Sequence, residues 1–160
     1  MKAQIWFDPK MNRAGWRRGA WDNEPDKAQW TDEATGLPCL AKRNGMGAWC
    51  GYVGVTEGHR AFGISYEGVD ASAHGGLTFS DFCQSGDPAE TICHVPDPGE
   101  PDRVWWLGFD CSHHMDHAPA FEARELARFG LAEVFGKGIY RTFDYVRREC
   151  ANLAAQLMAM

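Results

Sequence analysis

Imidazole, thiol and carboxylate side chains crowd one short segment of this 160-residue chain, from Asp110 to His117. Cys111, His113 and Asp116 offer sulfur, nitrogen and oxygen ligands within six positions, a mixture that suits Zn²⁺, or iron if His and Asp dominate. A solvated, histidine-rich turn is the alternative, because the spacing matches no familiar metal-binding motif. We therefore treat a bound divalent metal as one hypothesis for this segment.

A second candidate segment begins at His74, which is followed by Gly75 and Gly76. Glycines let the backbone approach a ligand closely and leave amide N–H groups free to bind an anion. His74 would then donate a proton, contact the ligand or bind a metal. The alternative is a tight turn whose histidine bonds a neighbouring group. His59 lies in another glycine-flanked loop and is a weaker candidate.

Catalysis by a cysteine nucleophile is a further hypothesis. Cys111 would need a histidine to lower the pKa of its thiol, and Asp110 or Asp116 to orient that imidazole. A histidine two positions away on the same loop rarely folds back, so the partner would be His74 or His59. No serine-hydrolase, phosphate-loop or dinucleotide motif is present. The candidate catalytic residues are His74, Cys111, His113 and Asp116.

Short apolar segments bounded by turn formers predict four β-strands that would position these residues, at 48–55, 77–79, 91–95 and 104–109. Loop 96–102, which contains proline and glycine, is predicted to join the last two strands as a hairpin. Trp105 and Trp106 must point to opposite faces. One belongs to the core, and the other, which we assign as Trp106, would stack on a flat ligand.

Helical patterns follow in the C-terminal part. The first covers 121–135 and is interrupted by Gly130, and the second repeats apolar residues every three or four positions from Phe143 to Leu157. Thr142 is a suitable N-cap for this second helix. We predict an α+β fold, a small antiparallel sheet covered by the C-terminal amphipathic helix. The domain would span 47–160, preceded by an irregular, tryptophan-rich arm over 1–46.

Composition argues against several classes of protein. The chain has 16 Lys and Arg against 22 Asp and Glu, a net charge of −6 that disfavours duplex DNA as a partner. A local exception is the basic cluster of Arg13, Arg17 and Arg18. The sequence contains no run of about 20 apolar residues and no signal-peptide pattern, so we expect no membrane span and a cytoplasmic location. A homo-oligomer is compatible with the arm over 1–46, because its four tryptophans must pack on the body of the protein, on a second copy of the chain or on a partner.

Six cysteines occur, at positions 39, 50, 83, 93, 111 and 150. Their even number is compatible with disulfides, but a chain of this length can bury a core without them. In a reducing compartment we expect mostly buried free thiols. The absence of a Cys-x-x-Cys pair disfavours a zinc finger or a thioredoxin-like redox site.

Five segments resemble a family of small bacteriophage and prophage proteins. They are Gly-Tyr-Val-Gly-Val from Gly51 with Gly58-His59, His-Gly-Gly-Leu-Thr-Phe from His74, Ile-Cys-His-Val-Pro from Ile92, Gly-Glu-Pro-Asp from Gly99, and Trp-Trp-Leu-Gly-Phe-Asp-Cys-Ser-His from Trp105 with Asp116. The resemblance covers about 48–118, with a looser match at 140–157, and departs from the family pattern at Arg60, His114 and Met115. It implies a phage-derived accessory protein.

Together these features predict an intracellular accessory protein that binds a small anionic or nucleotide-like ligand, or a host defence protein, in one pocket. The predicted pocket residues are His59, His74, Gly75, Gly76, Trp106, Asp110, His113 and Asp116. A small hydrolase or transferase that uses the same cluster, with or without zinc, is the alternative. The third hypothesis is a purely structural or interaction protein, in which the loops rich in histidine and glycine only stabilise turns.

Overall fold

The computed structural model describes residues 1–130 and 138–160 and contains a six-stranded antiparallel sheet. The strands are β1 (Gln4–Trp6), β2 (Lys27–Thr31), β3 (Pro38–Arg43), β4 (Trp49–Thr56), β5 (Phe79–Phe82) and β6 (Val104–Asp110). They lie in the order β1-β2-β3-β4-β6-β5. Among the described residues, short 3₁₀ helices span Ala20–Asn23 and Tyr66–Gly68, and the α-helices that follow are α1 (Pro119–Phe129) and α2 (Phe143–Met158).

Helix α2 covers one face of the sheet. Its N-cap Thr142 accepts a hydrogen bond from the Tyr145 N–H, as predicted. The buried side of α2 carries apolar residues at spacings of three and four, which places them against β3 and β4. These are Val146, Cys150, Leu153, Ala154 and Leu157. A Cβ on Gly51 of β4 would lie 2.9 Å from Cys150 Sγ, so glycine permits this close approach. The predicted α+β fold is confirmed.

The first 46 residues do not form the irregular arm that the sequence suggested. They supply β1, β2 and β3, and β3 pairs with β4 across the expected boundary at residue 46, so 1–46 and 47–160 share one sheet. Polar residues in the strands hid this pattern, because Lys27 and Gln29 are buried where apolar residues are usual. Lys27 Nζ donates hydrogen bonds to the carbonyls of Thr91 and Cys93, at 2.8 and 2.6 Å.

A buried ion pair joins this N-terminal part to helix α2. Arg43 in β3 is 1% exposed, and its Nη2 donates to Glu24 Oε2 at 2.8 Å. The other oxygen of Glu24 accepts a hydrogen bond from the N–H of Phe143, the first residue of α2, at 2.8 Å. The Arg43 guanidinium also lies 4.4 Å above the ring of Trp49. Residues far apart in sequence are thus connected through one carboxylate.

Residues 91–95 do not form the predicted strand. They belong to the long loop 83–103 between β5 and β6, in which a disulfide joins Cys83 to Cys93. Side chains of β2, and not the backbone of a neighbouring strand, form hydrogen bonds with the backbone of this segment. Gln29 Oε1, for example, accepts a hydrogen bond from the Val95 N–H at 2.8 Å. Segment 96–102 is therefore part of this loop and not a hairpin turn. The other four cysteines are buried free thiols, as expected.

Two further differences concern element boundaries. Strand β5 begins at Phe79, so the predicted strand 77–79 overlaps it by one residue. Helix α1 ends at Phe129 because Gly130 adopts a left-handed conformation, with φ of +65°, at its C-terminus. The rest of the predicted helix 121–135, including Leu131 and Phe135, lies outside the described residues. Within the described ranges, no helix combines the length and apolar character needed to cross a bilayer.

Candidate functional site

The loop that follows β6 is organised around the carboxylate of Asp116, whose side chain is 1% exposed. Asp116 Oδ1 accepts a hydrogen bond from Arg141 Nε at 2.8 Å. Its Oδ2 lies 2.7 Å from His74 Nε2 and accepts from the N–H of His113 at 3.1 Å. Burial alone would raise the pKa of Asp116, but these three donors outweigh burial and lower it. The carboxylate is therefore ionised, and both of its oxygens have hydrogen-bond partners within the protein.

His74 links this carboxylate to helix α2. Its Nδ1 lies 2.9 Å from the hydroxyl of Tyr145, in the first turn of α2. Both ring nitrogens of His74 therefore have partners within the protein. We call Asp116, His74, Arg141 and Tyr145 the Asp116 cluster. It holds the loop that carries the remaining histidines in a defined position.

The two candidate segments of the sequence meet at Gly75. A Cβ built on Gly75 would lie 1.8 Å from His113 Nε2, so only glycine allows this imidazole to pack here. His113 Nε2 in turn lies 3.9 Å from Asp110 Oδ1. Gly76 differs, because its Cβ position faces open space and its N–H already bonds the Ala73 carbonyl. Gly75 shapes the site by close packing, whereas Gly76 forms a turn.

A cleft of about 580 Å³ lies beside the Asp116 cluster. Loop 112–118 and helix α1 form its walls, together with Met46 and Gly138. Its lining residues are Met46, Ser112, His113, His114, Met115, Asp116, His117, Ala118, Phe121, Glu122 and Gly138. The volume is within the range of small-molecule sites, about 300–1,000 Å³.

His117 and Glu122 form the polar wall of this cleft. The His117 ring stacks on Trp21, with 5.2 Å between ring centroids. Its Nε2 lies 3.6 Å from Glu122 Oε2, too far for a hydrogen bond. Arg17 Nη1 approaches the other oxygen of Glu122 at 3.8 Å. Among the described residues, the buried Nε2 atoms of His113 and His117 have no hydrogen-bond partner.

Two predicted pocket residues lie elsewhere in the fold. His59 Nε2 is 3.0 Å from the Leu157 carbonyl, at the C-terminal end of α2, and its Nδ1 accepts from the Ala61 N–H. Twelve helical residues, about 18 Å, separate that end from Tyr145. Trp106 is fully buried and cannot stack on a ligand. Trp105 is the half-exposed neighbour, and its Nε1 bonds the Ile64 carbonyl.

Cys111 does not have the environment of a nucleophile. It is 1% exposed, and burial, followed by the charge of Asp116, raises the pKa of its thiol. A thiol needs a lowered pKa to react as a thiolate near neutral pH. Cys111, His113 and Asp116 are also not gathered as metal ligands. In the described ranges, the group of His, Cys and acidic ligand atoms close enough to hold an ion is Cys83, Cys93 and His94.

Sequence reasoning missed several residues that build the site. Arg141 and Tyr145 complete the Asp116 cluster, and Trp21 and Glu122 position His117. Nothing in the local sequence marks them, because each acts on a residue distant along the chain. His117 belongs to the same histidine-rich segment as His113, and this closeness in sequence was the one signal that could have identified His117 as a site residue.

Comparisons with protein-family models, curated proteins and solved structures gave no match. The resemblance to phage proteins remains a prediction. The geometry of the cleft and of the Asp116 cluster is therefore the basis for a functional proposal.

Proposed function

We propose that this protein binds a small organic anion, such as a nucleotide-like ligand, in the cleft beside the Asp116 cluster. The observation that carries this proposal is the convergence of three imidazoles, His113, His114 and His117, in one wall. Two of their Nε2 atoms are buried without a partner. An unpaired buried polar atom costs about 1–3 kcal/mol, so a ligand that supplies the missing partner gains that free energy.

The charges around the cleft support an anionic ligand. Each carboxylate of the lining already faces an arginine, Asp116 through Arg141 and Glu122 through Arg17. The imidazoles are therefore left to donate hydrogen bonds to an incoming acidic group.

The apolar part of the lining supports a ligand with a flat or hydrophobic group. Met46, Met115 and Phe121 line the cleft beside the histidines. Methionine side chains adapt to ligands of different shapes, and aromatic rings offer a surface for stacking. Sequestration of such a ligand would suit the accessory role in a phage that the sequence resemblance implies.

An enzyme that uses the chain of hydrogen bonds from Asp116 through His74 to Tyr145 is the second candidate. This arrangement would orient His74 and let the Tyr145 hydroxyl exchange a proton. Burial and the charge of Glu149 raise the pKa of Tyr145, however, and a general base near neutral pH needs the opposite shift. Binding therefore has the stronger support.

Gly75→Ala tests the proposal. The added methyl group collides with His113 Nε2 and displaces the imidazole from the cleft wall. In titrations with AMP followed by the histidine ring signals in NMR spectra, we expect wild-type protein to shift His113 and His117. We expect Gly75→Ala to weaken AMP binding by about tenfold or more, which corresponds to about 1.4 kcal/mol.

Gly76→Ala is the matched control. Both glycines have positive φ, +69° and +93°, so the two variants share backbone strain, but a methyl group at Gly76 meets open space. Gly76→Ala should bind AMP as tightly as wild type. Inorganic phosphate and adenosine, tested separately, should each bind more weakly than AMP. The proposal fails if AMP leaves the His113 and His117 signals of the wild-type protein unchanged, or if Gly75→Ala binds AMP normally.

A further inference from the structure

A second group of metal-ligating side chains lies in loop 83–103 and shares no residue with the cleft. Cys83 directly follows β5, and Cys93 and His94 return to it through the loop. Their ligand atoms all lie within 4.8 Å of one another, and His94 Nδ1 is 3.6 Å from Cys83 Sγ. His94 is 7% exposed, whereas both cysteines are half-buried. The two cysteine residues are thus partly exposed to solvent.

Contacts from β2 and β6 hold this group in place in addition to the disulfide. Trp106, fully buried in β6, donates a hydrogen bond from Nε1 to Cys83 Sγ at 3.3 Å, and its ring packs edge-on against His94 at 5.5 Å. Lys27 Nζ bonds the carbonyls of Thr91 and Cys93, which anchors the loop to β2.

We propose that Cys83, Cys93 and His94 form a redox-dependent zinc site, which binds one Zn²⁺ ion when the disulfide is reduced. Two thiolates and one imidazole are ligands that Zn²⁺ prefers, and a water molecule would complete a tetrahedral site. In the disulfide form the two sulfur atoms are bonded to each other, so the ion has only the imidazole. The inference does not rest on the proposed function of the cleft.

The reaction balances with small thiols as the reductant. Two thiols reduce the Cys83–Cys93 disulfide to two cysteine thiols and leave as their own disulfide. Zn²⁺ then displaces one proton from each cysteine and forms two zinc–sulfur bonds and one bond to His94 Nδ1. In the reverse direction, a small disulfide accepts two electrons from the bound thiolates and two protons from solvent. The Cys83–Cys93 bond re-forms and Zn²⁺ is released.

The experiment compares zinc binding by the full chain in its two redox states. Protein reduced with a phosphine and desalted under anaerobic conditions should bind one equivalent of Zn²⁺ in competition with a chromogenic chelator. Oxidised protein should bind none at the same site. Co²⁺ in place of Zn²⁺ should give thiolate-to-metal charge-transfer absorption in the reduced protein only. This comparison uses wild-type protein and is independent of any folding defect in a variant.

Variants identify the ligands. His94→Ala and Cys83→Ser should each weaken Zn²⁺ binding by reduced protein at least about tenfold, while His114→Ala, an exposed histidine of the other site, should not change it. Circular dichroism confirms that each variant is folded. Equal Zn²⁺ binding by oxidised and reduced wild-type protein would overturn the proposal. The proposal is also wrong if reduced wild-type protein binds no Zn²⁺. It is equally wrong if Zn²⁺ binding by reduced protein is lost when His117 is replaced but is retained in His94→Ala.

Discussion

Arg43→Met is expected to lower the free energy of unfolding by about 3–5 kcal/mol, the usual cost of removing one partner of a buried ion pair. Methionine fills a similar volume but leaves the carboxylates of Glu24 and Asp26 without this guanidinium. Arg43 Nη2 lies 2.8 Å from Glu24, and its Nε lies 3.5 Å from Asp26. Both carboxylates are largely buried, so water cannot replace the lost charge.

The effect should extend beyond the ion pair, because Glu24 connects three parts of the fold. It accepts hydrogen bonds from Trp49 Nε1 in β4, from the Tyr140 hydroxyl and from the N–H of Phe143. Without the Arg43 guanidinium, the buried Glu24 carboxylate is uncompensated and would leave its position, which weakens the contact with the start of α2. We therefore expect hydrogen exchange in the first turn of α2 to accelerate in Arg43→Met.

Arg18→Met provides the matched control for Arg43→Met. Arg18 forms an ion pair with Asp22 at 2.8 Å, but its side chain is 95% exposed. Surface ion pairs of this kind contribute about 0–1 kcal/mol. Urea denaturation followed by tryptophan fluorescence measures both variants. Equal stability of Arg43→Met and Arg18→Met would show that the buried pair contributes no more to stability than a surface ion pair.

Asp116→Asn is expected to lower the free energy of unfolding by about 3 kcal/mol at pH 7 and to disturb the cleft. The asparagine amide has one acceptor oxygen, so it cannot accept hydrogen bonds from all three groups that donate to the Asp116 carboxylate. The substitution also removes the negative charge that pairs with Arg141. Because the His113 N–H is one of these donors, loop 112–118 loses an anchor. We expect weaker AMP binding together with the loss of stability.

The pH dependence distinguishes this role from a general packing defect. The pKa of Asp116 is lowered in the folded protein, so the stability it provides is fully present above its unfolded pKa, near 3.9. It is lost as the pH falls through the folded value. The difference in unfolding free energy between wild type and Asp116→Asn should therefore be largest near neutral pH and should shrink below about pH 4.

Asp70→Asn is the control for this pH series, because Asp70 is exposed. Its free energy of unfolding should follow that of wild type at every pH from 2 to 7. If the difference between Asp116→Asn and wild type stays constant over that range, the carboxylate charge does not hold the loop. A difference that vanishes in acid, where the Asp116 carboxylate is protonated, supports the hydrogen-bonded carboxylate.

Local sequence patterns were sufficient for the elements that bury continuous apolar surface. The spacing of three and four from Phe143 to Leu157 and the capping residue Thr142 predicted α2 correctly. The apolar segments at 48–55 and 104–109 correspond to β4 and β6, which lie side by side in the sheet. Each of these patterns depends on residues only a few positions apart, so the chain reveals it without knowledge of the fold.

Strands β2 and β3 were missed because polar side chains occupy buried positions in them. Lys27, Gln29 and Arg43 interrupt the alternation of apolar and polar residues that predicts a strand. Their partners are carbonyls and carboxylates elsewhere in the chain, such as Cys93 and Glu24. The prediction of a strand at 91–95 was wrong because these same polar side chains of β2 form hydrogen bonds with the backbone of the segment and hold it as a loop.

The candidate site likewise combines features that the local sequence predicts with features that only tertiary contacts decide. Residue types and loop positions identified His74, His113 and Asp116 as candidates, and 42 positions separate His74 from Asp116. In the folded chain these residues lie close together, and both ring nitrogens of His74 have partners within the protein. Trp106 and Cys111 are buried. His59 lies at the far end of α2. Chemical identity and local periodicity are properties of short segments. Partnership, burial and access depend on contacts between distant segments, which only the folded chain creates.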